Sequence, residues 1–331
     1  MIVITGAAGQ VGSVLVKKLV ERKKQVKAIV TPTDDLTALE KYPIEIVTGD
    51  IRDLQFLINE FAKAKQVYHL AGIVSITPGN KNLLEEVNVE GTKNVVKACH
   101  ENNVDRLIYT SSVHAFVERP HGQLIDETAP IDPERIVGNY AQSKAKATLY
   151  IREAIKNGLD AVIVYPSGII GPYAHTLSNM GQMFIDYCQG KIPVIIEGTY
   201  DFVDVRDVVL GAMSAAKKAP PGSEYILSGY QITLKQMFYI LSNITGRKYP
   251  RIYIPTWFLK MLIPLINFFA KRLNKMPTLT SYALYTISSN SLFSHVCVKL
   301  FSVNLLHQYF RHSLFVRFYL PRYACLLIYI S

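Results

Sequence analysis

Tyr140 and Lys144 stand four residues apart in Tyr140-Ala141-Gln142-Ser143-Lys144, on a stretch whose pattern continues helically through Lys146 and Leu149. Side chains at that spacing share one helix face. A phenol with a free pKa of about 10 is a poor base at neutral pH, but an adjacent ammonium favours the phenolate. Such a tyrosine can accept or donate a proton at a hydroxyl or carbonyl oxygen while a hydride moves. Ser111-Ser112 follows the apolar run Leu107 to Thr110. A hydroxyl there can hydrogen-bond the reacting oxygen and polarise it.

A hydride needs a carrier, and the chain opens on a site for one. The apolar run Ile2-Val3-Ile4 ends in Thr5-Gly6-Ala7-Ala8-Gly9-Gln10-Val11-Gly12, and a helical pattern (Val14, Leu15, Leu19) begins at once. A strand that turns through glycines into a helix N-terminus presents free N–H groups and the helix dipole to a pyrophosphate. The glycines allow the tight turn and the close approach of the phosphate. Strand, loop and helix in this order predict dinucleotide binding through Gly6, Gly9, Gln10, Val11 and Gly12.

The elements that must hold these groups read as alternating strands and helices. Runs Val26–Val30, Ile44–Val47, Gln66–Leu70, Leu107–Thr110 and Ala161–Tyr165 are strand-like, with helical stretches near 10–22, 53–63, 81–102 and 139–157. This alternation predicts an α/β fold with a doubly wound parallel sheet. Continuously apolar strands fit burial on both faces. Residues 1–172 are expected to form the dinucleotide-binding domain, with Tyr225 to Ser228 returning as a further strand. Residues 173–295 are expected to form mainly a smaller substrate lobe.

Composition bounds the remaining classes. The chain has 331 residues, 49% of them hydrophobic, enough for one large core or two modest ones. Its four cysteines (Cys99, Cys188, Cys297, Cys325) lie far apart, which argues for reduced thiols and against a metal site or a disulfide framework. With no signal-peptide pattern after Met1, a cytoplasmic location is expected. The net charge of +10 is entirely C-terminal: residues 1–224 hold all 26 acidic side chains and 24 of the 36 basic ones. That scatter, without a nucleic-acid motif, argues against a nucleic-acid partner.

Two segments raise the question of membranes. Ile252 to Ala270 is apolar but broken by Pro255, Lys260, Pro264 and Asn267; it reads as a lid or core helix, with an interfacial helix as the alternative. Val296 to Ser331 contains no Gly, Asp or Glu and eight aromatics without helical or strand period. It is poor material for a soluble surface.

Taken together, the motifs resemble those of the extended short-chain dehydrogenase/reductases, in the NAD(P)-dependent epimerase/dehydratase group. The nearest resemblance is to its dihydroflavonol 4-reductase-like and 3β-hydroxysteroid dehydrogenase-like branch. The likeness runs from Met1 to about His295. Further segments carrying it are Gly49-Asp50-Ile51-Arg52-Asp53, His69-Leu70-Ala71-Gly72 and Asn88-Val89-Glu90-Gly91-Thr92, then Tyr165 to Pro172 and Asp201 to Asp207. The resemblance implies a Rossmann fold, Tyr140 as acid/base, Lys144 as its pKa tuner and a ribose contact, and Ser112 as the catalytic serine, with Ser111 packing. It also implies cofactor contacts at Asp50, Ile51, Leu70, Ala71, Gly72, Asn88, Ser167, Ile169 and Tyr165, the last standing where the family has arginine. A homodimer through the helices near 81–102 and 139–157 is implied as well.

The end of the second strand, Ile29-Val30-Thr31-Pro32-Thr33, carries neither the acid of NAD-selective members nor the arginine of NADP-selective ones. NAD and NADP both stay open at this point. His114 and His121 match no family site and read as loop histidines. After His295 the family's pattern stops, and residues 296–331 read as an out-of-frame or otherwise disrupted coding sequence. The favoured activity is the interconversion of a ketone and a secondary alcohol on a fairly apolar small molecule, with Trp257, Phe258, Leu262 and Phe268 as its apolar surroundings. A nucleotide-sugar epimerase or dehydratase is the alternative, with Arg206, Lys235, Arg247 and Arg251 as candidate diphosphate ligands. A cofactor-sensing protein without turnover is the third.

Overall fold

The computed structural model describes residues 1–75, 80–172, 179–262, 272 and 281–294. The expected tail anomaly at 296–331 and residues 263–270 of the apolar segment lie outside the described residues.

Seven parallel strands form the central sheet: β1 (Ile2–Thr5), β2 (Val26–Val30), β3 (Glu45–Thr48), β4 (Gln66–His69), β5 (Arg106–Thr110), β6 (Ala161–Pro166) and β10 (Glu224–Leu227). Their order is β10-β6-β5-β4-β1-β2-β3. The chain therefore winds outward from β1 through β2 and β3, then crosses back to β4 on β1's other side. That reversal makes the C-terminal ends of β1 and β4 the switch point where ligands bind in such sheets.

Both faces of the sheet are covered, which is why β1, β2 and β6 are buried at every position. One face packs Val3, Leu107 and Ile163 with Val95 and Val96 of α4 (Gly91–Glu101) and Ala145 and Ile151 of α5 (Asn139–Lys156). The other packs Ile4, Ile108 and Val164 with Leu15 and Leu19 of α1 (Gln10–Glu21) and Val208 and Val209 of α7 (Val205–Lys218). The predicted helix over 81–102 is a continuous helical run with a π turn at Glu85–Glu90 between α3 (Lys81–Leu84) and α4.

Beyond the main sheet, β7 (Gly168–Ile170), β9 (Thr199–Asp204) and β11 (Tyr230–Thr233) form a three-stranded sheet, and β8 (Val194–Ile196) pairs with β12 (Ile252–Ile254). Ile170, Phe202 and Ile232 pack there with Tyr187 of α6 (Asn179–Cys188) and Phe238 of α8 (Leu234–Thr245). A helical turn α9 (256–262) and the helix α10 (Ser281–Ser288) lie against this part through Leu259 and Leu284. Among the described residues, no helix is long and apolar enough to cross a membrane.

Candidate active site

The turn after β1 is built by contact with the loop after β4. Gly6 has φ +71°, and a Cβ there would stand 2.6 Å from the Ala71 nitrogen; a Cβ on Gly12 would stand 2.6 Å from the Ala7 carbonyl oxygen. Helix α1 begins at Gln10 with Gly9 as its cap and no capping side chain. Its first amides lack intrahelical acceptors, so they and the dipole suit an anionic group. Gln10 itself ties the turn across the cleft, its Nε2 donating to the Gly171 carbonyl at 2.8 Å.

Two buried side chains, His69 and Asn88, hold the neighbouring loop. His69 bridges Thr5 Oγ1 at 2.8 Å and Thr92 Oγ1 at 3.0 Å, and burial lowers its pKa to about 3, so the ring is neutral. Asn88, within the π turn, accepts from the Ile73 amide at 2.8 Å and donates to the Ile73 carbonyl at 3.0 Å and to Ser143 Oγ at 2.9 Å. It thus clamps the β4 loop to α5. A Cβ on Gly72 of that loop would lie 3.5 Å from Lys144 Nζ, so the glycine leaves the ammonium approachable.

Ser112, Tyr140 and Lys144 converge at the C-terminal end of β5. Lys144 Nζ donates to the Thr110 carbonyl at 2.9 Å and lies 5.3 Å from the centre of the Tyr109 ring. Burial lowers its pKa to about 8. The Tyr140 phenol is pushed up to about 12 by burial, opposed by the Ser112 hydroxyl beside it. Ser111, by contrast, turns away to Thr148 Oγ1 at 2.7 Å.

A small pocket, open to solvent, lies beside this cluster. Its walls include Phe116, Ile136, Phe293 and the rings of Tyr200, Tyr282 and Tyr285. Tyr200 and Tyr282 lie near enough to Tyr140 for its phenolate to disfavour theirs. Gly138, at φ +99°, starts α5 where Tyr282 leaves no room for a side chain. His114, two residues past Ser112, meets Tyr200 Oη at 3.0 Å through Nε2 and is kept neutral by burial, its pKa near 4.

Residues 2–227 match the model of the NAD dependent epimerase/dehydratase family. The chain belongs to this family. Sterol demethylase protein B of Methylococcus capsulatus is 33% identical over 253 residues, 76% of each chain. A putative dihydroflavonol 4-reductase of Synechocystis sp. is 32% identical, covering 77% of this chain and 75% of that one. The crystal structure of gox2253 superposes with a TM-score of 0.79 at 28% identity, covering 95% and 99% of the two chains. The protein is thus an NAD(P)-dependent oxidoreductase of the extended short-chain type.

Within this family member, not every expected residue presents its side chain to the cleft. The Tyr165 ring is fully buried against Phe116 and its hydroxyl donates to Glu224 Oε2 at 2.6 Å. A ring on a strand covered on both faces follows the core, and its hydroxyl reaches the Arg152–Glu224 ion pair. Ile51 is likewise buried, against Gly91, so its side chain is packing. Asp50 accepts from the Arg52 amide at 2.9 Å and pairs with its guanidinium at 2.6 Å. Leu70 and Ala71 follow β4 directly, the Leu70 amide bonded to the Thr5 carbonyl, while Val11 of α1 and Ile169 of β7 pack, partly buried, against the core on the α1 and α7 face of the main sheet. Ser167 is buried after β6.

The expectations for the pocket change most. Trp257 and Phe258 are 62% and 40% exposed and do not line it; Phe268 lies outside the described residues. Arg206 is locked to Asp204 at 2.8 Å, and Lys235 sits over the Tyr253 ring at 3.7 Å. His114 is no loop residue but part of the pocket wall, whereas His121 is exposed and meets the Ser288 carbonyl at 2.9 Å. The sequence signal for His114 was its position two residues after Ser112; Tyr200 and Tyr282 carried none.

Proposed function

We propose that the enzyme interconverts a ketone and a secondary alcohol on a fairly apolar substrate held in the aromatic pocket. A nicotinamide held at the glycine turn would supply or accept the hydride. Tyr140 transfers the proton at the substrate oxygen, Ser112 donates a hydrogen bond to that oxygen, and Lys144 holds the ribose and lowers the phenol's working pKa. The glycine turn and α1 amides take the pyrophosphate, and the uncapped N-terminus and the glycine-lined approach fit it. The starting geometry leaves the phenol high, so a nearby ammonium has a real task there.

The observation that carries the substrate class is the pocket wall. Among its described residues the bases are His114, kept neutral, and Arg135, with the carboxyl groups of Glu118 and Asp201 also in the wall; rings and aliphatic chains share the remainder with hydroxyl and amide side chains. A sugar diphosphate needs several fixed cations, and Arg206 and Lys235 are engaged elsewhere. Relatives named for sterol and dihydroflavonol chemistry point the same way.

A panel of hydroxysteroids, aryl ketones and UDP- or dTDP-sugars, followed at 340 nm with NADH and NADPH, tests the reading. Turnover is expected on the first two classes, with Tyr140→Phe slower by roughly 10²–10⁴-fold. Turnover on the sugar nucleotides alone would reverse the substrate assignment.

A further inference from the structure

The described part of the apolar segment that begins at Ile252 does not line the pocket, and its exposed face is unusual. Ile252 and Tyr253 on β12 and Trp257, Phe258 and Met261 on α9 all point to solvent, with Trp257 62% and Met261 66% exposed. Trp257 and Phe258 meet edge to face, 5.8 Å between ring centres. Isolated exposed apolar residues are ordinary, but a contiguous cluster marks an interaction site.

Cations surround it. Lys235 of α8 lies over Tyr253, Arg251 precedes β12 and Lys260 is exposed on α9 beside Met261. No Asp or Glu follows Glu224 in the whole sequence. The acid that approaches from another element is Glu197, whose Oε2 accepts from the Thr256 amide at 3.4 Å.

We propose that this face docks on an anionic lipid bilayer. Rings with one apolar and one polar edge suit the headgroup boundary, Lys and Arg stems can lie along it with their charges outward, and anionic headgroups complement the excess of cations. The alternative of a nucleic-acid surface fits less well, because the most exposed groups are aliphatic and aromatic. Position adds a use for the contact. On the inner side of α9, Leu259 packs with Leu284 of α10, and Tyr282 and Tyr285 of that helix line the pocket. An apolar substrate dissolved in the bilayer would be delivered next to its site, although docking itself does not depend on the substrate assignment.

Trp257 is the chain's one tryptophan, so its fluorescence reports this face alone. The full-length protein is mixed with sucrose-loaded vesicles of phosphatidylglycerol and phosphatidylcholine, or of phosphatidylcholine only, and followed by sedimentation, emission maximum and acrylamide quenching. The expected result is co-sedimentation with the anionic vesicles, a blue shift and protection from quencher. Arg251→Glu with Lys260→Glu is expected to weaken partitioning by at least roughly 30-fold, and Phe258→Ser with Met261→Ser to abolish the blue shift. Circular dichroism and dinucleotide binding check that the variants are folded. Failure to sediment, or sedimentation with unshifted Trp257 emission, overturns the proposal, the latter by placing the contact elsewhere. A blue shift that grows with protein concentration without lipid would overturn it in favour of a second copy of the chain, and one produced equally by duplex DNA in favour of a polyanion site.

Discussion

At the residue scale the cluster is defined by what burial does to each group. A buried ammonium at about 8 and a buried phenol at about 12 both reflect desolvation of the charged form. The consequence for rate has a clear sign. Tyr140 keeps its proton across the physiological range, while Lys144 loses its charge as pH rises through about 8. Ketone reduction is therefore expected to decline above that pH in a kcat/KM profile. In Lys144→Met the profile should be uniformly low and lack the alkaline limb; persistence of the limb would assign it to another group.

At the scale of elements, the π turn between α3 and α4 brings Asn88 to face both the β4 loop and Ser143. π turns often occur at functional sites because the extra residue re-aims side chains. Asn88 acts by positioning, since its amide is committed to Ile73 and Ser143. Asn88→Ala leaves these partners unsatisfied, at about 1–3 kcal/mol. Thermal unfolding should shift down accordingly, and calorimetry should show weaker dinucleotide binding, because the loop that carries Gly72 past Lys144 is no longer clamped. Unchanged dinucleotide affinity would confine the residue to stability.

At the scale of the molecule, Asp201 joins the two sheets. It lies on β9, and its Oδ1 accepts from the Gly229 amide at 3.1 Å, just beyond β10. Its other oxygen has no hydrogen-bond partner among the described residues, and burial raises the carboxyl to about 7. Ser167 lies close enough to oppose that rise without meeting hydrogen-bond geometry. An unfolded carboxyl titrates at about 4. Between these values the folded chain holds the extra proton, so this group's contribution falls as pH rises through the window, and the full cost is present above about 7. Asp201→Asn keeps an acceptor for Gly229 and removes the titration. Its gain in urea stability over the parent should vanish near about pH 4 and reach at most about 4 kcal/mol above about pH 7. A pH-independent difference would refute the assignment.

The sheet, its winding and the glycine turn were legible in the sequence because each is written locally. A strand covered on both faces reads as a continuous apolar run, and a phosphate-accepting turn needs glycines within one short segment. Tyr140 and Lys144 were legible for the same reason, since helical periodicity alone places them together. The direction of Tyr165, the burial of His114 against Tyr200, and the packing of Tyr282 over Gly138 were decided only by tertiary structure. They join positions 59, 86 and 144 residues apart, read from Tyr165 and Glu224, His114 and Tyr200, and Gly138 and Tyr282, and no period or spacing encodes such contacts. The same holds for Trp257 and Phe258: their types suggested a ligand pocket, but only packing, which turns Leu259 inward, determined that they face out.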